Sequence, residues 1–144
     1  MSSERPVRVV PLPDAGGDDR GGSFPLSLSA LAREASGAFD PPFQLTDAHV
    51  TGLRPGRVRG NHFHARRHEI LLVLPGARWS LWWDHGEGTP VSTSSFDGSE
   101  PVAVLISPLC SHAVRNDDSR EMQIVGLSDL AYDEEPDVFP RAVV

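Results

Sequence analysis

The chain has no lysine: all 13 of its basic residues are arginine. Schiff-base catalysis and a phosphate-loop lysine are therefore excluded. Cysteine occurs once, at Cys110, so no intrachain disulfide can form and no multi-cysteine zinc or iron–sulfur site can be built. No apolar run approaches membrane-spanning length, and residues 1–17 lack the apolar core of a secretory signal. We expect a cytoplasmic protein without membrane contact. Positive charge is also scarce: 20 acidic against 13 basic residues give a formal net charge of −7. That balance argues against a nucleic-acid binder or a polybasic membrane-surface protein.

What is present reads as β structure. The 144 residues suit one domain, and 13 glycines with 13 prolines leave little room for long helices. A strand is expected over residues 7–12, then a Gly/Asp-rich loop and one short helix over 26–35, with Gly37 just past its end. From Phe43 onward short apolar segments alternate with turn signals such as Arg54-Pro55-Gly56, Pro75-Gly76 and Asn116-Asp117-Asp118. Strands are expected over 43–50, 57–64, 69–74, 78–84, 102–106, 112–116 and 122–127. Such spacing points to an antiparallel sandwich or barrel. The expected organisation is an N-terminal strand, loop and short helix (1–42), a barrel core (43–127) and a C-terminal tail (128–144), whose acidic stretch 131–144 is expected to lie over the surface.

Three of six histidines fall within seven residues: His62, His64 and His68, followed by Glu69. On a strand, positions i and i+2 share a face, so His62 and His64 point together and Phe63 points away. Two imidazoles on one face are half of a metal site. A carboxylate and a third imidazole would complete a set suited to zinc, iron, manganese or nickel. Glu69 leads an otherwise apolar strand, where an unpaired carboxylate would be costly. A tight turn at 65–68 would return it beside the histidines. His112 opens another β segment and can supply a fourth ligand from across the barrel.

These residues fall into a known pattern. Gly56, five residues, His62-Phe63-His64, four residues, Glu69, six residues and Gly76 resemble the first motif of the cupins. Ile106-Ser-Pro108-Leu-Cys-Ser-His112-Ala-Val-Arg-Asn116 resembles the second, with Leu109 in place of the usual Gly. The resemblance implies a double-stranded β-helix of the jelly-roll kind. It implies one divalent metal ion held by His62, His64, Glu69 and His112.

Three further strings are similar to RmlC-like nucleotide-sugar epimerases, both the cupin domain of capsular polysaccharide pathways and the dTDP-4-dehydrorhamnose 3,5-epimerases. They are Arg59-Gly60-Asn61-His62-Phe63-His64, Asp19-Arg20-Gly21-Gly22-Ser23-Phe24, and the segment 131–137 around Tyr132. This resemblance implies an epimerase or isomerase of a keto-deoxysugar nucleotide. Arg20, Arg59 and Asn61 would bind substrate, arginine gripping the diphosphate, and Tyr132 would donate a proton. In metal-free 3,5-epimerases the histidine matching His62 is the catalytic base, whereas in metal cupins it is a ligand. His64 and Glu69 favour the ligand role, and the base then comes from His49 or a water at the metal. Trp79, Trp82 and Trp83 would either line the barrel mouth or pack the core. Alternative functions are a metal-dependent cupin dioxygenase acting on a small metabolite and a non-catalytic small-molecule-binding cupin. A homodimer is expected, by exchange of the N-terminal strand.

Overall fold

A computed structural model describes residues 7–27, 31, 43–131 and 137–144. The strands are β1 (Val7–Pro11), β2 (Asp47–Leu53), β3 (Val58–Phe63), β4 (Glu69–Val73), β5 (Trp79–Trp83), β6 (Ser92–Phe96), β7 (Val102–Ile106), β8 (His112–Asn116), β9 (Met122–Ser128) and β10 (Phe139–Pro140). They form two antiparallel five-stranded sheets, ordered β1-β7-β4-β9-β2 and β10-β3-β8-β5-β6. The fold is an all-β jelly roll; among the described residues outside the strands, Leu31 alone is helical, its N–H bonding the Ser27 carbonyl at 2.9 Å. The helix expected over 26–35 falls mostly outside those residues, on 28–30 and 32–35. The described Leu26 and Ser27 are not helical.

Residue pattern decides which sheet is covered. Every residue of β7 is buried. Val102, Val104 and Ile106 face the interior with Leu71, Val73, Trp79 and Leu81. Ala103 and Leu105 face outward with Ile70 and Leu127, under Leu12, Phe24, Leu26, Leu31 and Phe43. A sheet covered on both faces needs apolar residues at both parities, so β4 and β7 read as continuous apolar runs. The other sheet keeps a wet edge, where β6 alternates between half-buried and exposed positions.

That edge strand escaped the sequence reading because Ser-Thr-Ser-Ser-Phe carries almost no hydrophobic pattern. Its one large apolar side chain, Phe96, stacks on Trp79 with ring centroids 4.1 Å apart. The expected strand 43–50 starts later, at Asp47, because Phe43 is spent covering the outer sheet face. The tail runs largely exposed, with Val138, Phe139 and Pro140 open to solvent, but it is anchored at several points. Strand β10 pairs with β3, Asp137 and Val143 are buried, and Arg141 bonds the buried Asp84 at 2.8 Å. The strand proposed for exchange, β1, pairs with β7 of its own chain.

Two backbone features set the site strand. Arg54-Pro55-Gly56-Arg57 closes with the Arg57 N–H on the Arg54 carbonyl at 3.1 Å. Proline second and a glycine at φ +72° third are what a type II turn requires. Within β3 the register to β8 shifts between Gly60 and His62. Gly60 takes φ +110° and Asn61 φ +56°. A Cβ on Gly60 would stand 2.4 Å from the His112 carbonyl oxygen, so only glycine lets β3 lie this close to β8.

Candidate metal centre

His62 lies on β3, opposite His112 on β8, and His64 follows just beyond the end of β3. Glu69 starts β4 on the other sheet and shares its inward face with Leu71 and Val73. The nitrogens of His62, His64 and His112 that face one another lie within 4.8 Å. The Glu69 carboxylate bridges two of the rings, Oε1 3.3 Å from His112 Nε2 and Oε2 3.4 Å from His64 Nε2. His64, Glu69 and His112 are each at most 5% exposed.

The tautomers follow from the partners. His64 Nδ1 lies 2.8 Å from the Asp137 carbonyl oxygen, and His112 Nδ1 lies 3.2 Å from that of Cys110. A carbonyl only accepts, so each Nδ1 carries the proton and donates it. In the neutral rings both Nε2 lone pairs then point at the carboxylate. His64 Nε2 is buried and makes no hydrogen bond. Lone pairs facing an anion repel unless a proton or a cation stands between them. Three imidazoles and one carboxylate are a donor set for zinc, iron, manganese or nickel, with each Nδ1–H held from behind. The residues present fit a divalent metal.

The electrostatics carry the same signature. Burial, with help from the neighbouring His112 and His64, pushes the His62 pKa down to about 4, so the ring is neutral at physiological pH. Burial acts against a charged His64, but its contact with Glu69 outweighs this and raises its pKa. Burial would also raise Glu69, yet His112 and His64 hold it well below the usual carboxylate range.

The four residues sit in a cavity of about 530 Å³ whose wall also includes His49, Thr51, Arg59, Arg67 and Asp137. His49 enters from β2, with its ring over Gly126, where a Cβ would come 2.3 Å from the ring. Arg59 is exposed, with its Nε donating to the Gly52 carbonyl at 3.1 Å. Arg67 is only 3% exposed. It was missed as a site residue because it occupies a spacer position between His64 and Glu69, where no pattern marks it.

Other expected site residues fall elsewhere. The Arg20 side chain is 86% exposed and pairs with Asp18, outside the cavity wall, because its loop folds on Asp14 and Asp18. Asn61 does not face the cavity. Its side-chain oxygen accepts from the N–H groups of Val143 and Val144, tying the chain end to the β3 bulge. Tyr132 lies outside the described residues. The three tryptophans do not line the cavity: Trp79 is core, Trp83 packs beside it, and Trp82 lies under Arg115. Cys110 is buried, and burial first, then Asp84, pushes its thiol up to about 11. Leu109, which stands where the motif has glycine, adopts φ +71° itself. The turn into β8 survives because the Leu109 N–H bonds the His64 carbonyl at 2.7 Å and its carbonyl accepts from Arg141.

Residues 44–139 match the family model of the polysaccharide biosynthesis C-terminal domain. The chain belongs to this family. No curated protein matches it in sequence. Among solved structures this family member resembles NovW, a 4-keto-6-deoxy sugar epimerase of Streptomyces spheroides (TM-score 0.72, 21% identity, 92% of this chain and 67% of that one). It also resembles QdtA, a sugar 3,4-ketoisomerase of Thermoanaerobacterium thermosaccharolyticum solved with TDP (0.64, 19%, 94% and 88%). The capsular polysaccharide assembling protein CapF of Staphylococcus aureus matches over 71% of this chain but only 29% of its own (0.63, 22%). These likenesses establish an RmlC-like cupin fold.

Proposed function

We propose that this domain is a metal-dependent epimerase or isomerase of a keto-deoxysugar nucleotide. The observation that carries the reading is the convergence of His62, His64, His112 and Glu69 at the floor of a cavity walled by two arginines. The four would hold one divalent ion. When bound, the ion supplies Lewis acidity toward a sugar ketone and its enolate.

The chain's own residues supply the rest. Arg59, exposed in the cavity wall, meets the diphosphate, whose negative charge an acidic surface would otherwise repel. Arg67, buried in the wall, adds positive charge where the enolate oxygen develops. His49, on the opposite sheet from His62, takes the proton from the carbon beside the ketone. Delivery of a proton to the opposite face by a second acid, the role expected of Tyr132, inverts the carbon; delivery to the former carbonyl carbon, as the neighbouring hydroxyl passes its proton to the former ketone oxygen, moves the ketone. NovW and QdtA carry sugar-epimerase and ketoisomerase activities on the same fold, which supports this substrate class.

The test has two arms. Elemental analysis of wild type and of a His62→Ala/His64→Ala double variant should find one metal per chain in the first and none in the second. Incubation with TDP-4-keto-6-deoxyglucose, the sugar nucleotide of a QdtA complex, in deuterium oxide should exchange the proton beside the ketone. Metal-free wild type that still exchanges would return His62 to the role of base. No exchange with this nucleotide or its UDP counterpart would overturn the substrate class.

A further inference from the structure

His62 and His112 are fixed by the β3–β8 ladder, where they stand opposite each other. His64 lies beyond that ladder, because β3 ends at Phe63. Its backbone carbonyl accepts from the Leu109 N–H, but what holds its ring comes from 73 residues away. The buried carboxylate of Asp137 takes the backbone N–H groups of Ala65 (3.1 Å), Arg66 (3.2 Å) and Arg67 (2.9 Å). The carbonyl of the same residue accepts from His64 Nδ1. The next N–H of the turn, that of His68, goes to Asp129 Oδ1 at 2.8 Å, and the His68 ring meets Asp129 Oδ2 at 2.6 Å. Four successive backbone donors are thus consumed by two carboxylates from the C-terminal side of the chain. Buried donors of this kind cost free energy when left without acceptors.

We propose that Asp137 is the positioning residue of the metal centre: its carboxylate clasps the 65–67 turn, and its carbonyl fixes His64 with Nε2 turned inward. The metal part of this inference rests on the proposed function; the positioning part does not. Asp129 clasps the far end of the turn and touches no ligand ring, so it serves as the internal control. Both ends of the 130–136 stretch are thereby anchored on one turn.

The experiment compares wild type with Asp137→Ala, Asp137→Asn and Asp129→Asn. Long-range proton–nitrogen NMR on the metal-free protein reports the His64 tautomer. Titration with zinc and with cobalt reports affinity. Wild type should show a protonated Nδ1 on His64. Asp137→Ala should lose that single tautomer and weaken zinc binding by about 10–100-fold. Asp137→Asn, which keeps one acceptor oxygen, should fall between. Asp129→Asn should keep the tautomer. If Asp137→Ala fails to fold, Asp137→Asn carries the test alone. A folded Asp137→Asn with the wild-type tautomer and wild-type zinc affinity would overturn the proposal. Wild type that shows the tautomer but binds neither metal would overturn the metal reading and leave the positioning role standing.

Discussion

His62 carries the proton chemistry most open to measurement. Burial lowers its pKa from 6.5 to about 4 in the folded chain, so the unfolded chain binds a proton that the folded chain refuses over that interval. Its contribution to stability is therefore complete above about pH 6.5 and is lost as the pH falls toward 4. His64, whose pKa is raised, contributes fully throughout that window and loses its contribution only as the pH rises through its raised value. Glu69, held low, stays ionised through the window. Thermal melts of chelator-treated protein should thus show the melting temperature falling between pH 6.5 and 4, and His62→Phe should flatten this fall. An unchanged slope in that variant would place the titration elsewhere. The His-x-His pair and Glu69 were legible in sequence because spacing encodes strand parity. Arg67 and Asp137 were not, since their roles depend on a turn and a tail meeting in space.

At the level of elements, the β3 bulge sets how His62 comes to stand opposite His112. Gly60 brings β3 within contact of the β8 backbone, and Asn61 accepts the left-handed conformation that L residues mostly avoid. Gly60→Ala would force a Cβ against backbone that cannot move aside, and should cost about 2–5 kcal/mol from strain and overlap together. Gly56→Ala makes a fair comparison, because nothing lies within 4 Å of its added carbon. It should cost only about 1–2 kcal/mol, for the positive φ alone. Urea denaturation of the two variants checks the difference, and equal costs would show that close approach to β8 is not what Gly60 provides. The eight strands read from sequence carry apolar alternation or apolar runs. The two that escaped, β6 and β10, are the edge strands of the second sheet, where one large ring is enough to hold each in place: Phe96 on Trp79, and Phe139 stacked on Phe63.

For the molecule as a whole, a ligand that binds only the folded chain raises its stability by mass action. Free zinc at 100 times its dissociation constant should add about 2.7 kcal/mol, which is roughly 5–10 °C in melting temperature for a domain of this size. Chelator should reverse the gain, and the His62→Ala/His64→Ala variant should not show it; a rise that persists in the double variant would mean zinc binds elsewhere. The sequence by itself determined the fold class and marked His62, His64, Glu69 and His112 as candidate ligands, because both rest on local signals: turn residues, strand parity and motif spacing lie within short windows. The tertiary structure alone decided that Arg20 faces solvent while Phe24 covers the outer sheet face, that Asn61 tethers the chain end, and that Asp137 returns to hold His64. Those outcomes depend on which carboxylates and carbonyls reach which donors after the sheets close. Contacts made across 70 or 80 residues of chain leave no periodic trace along it.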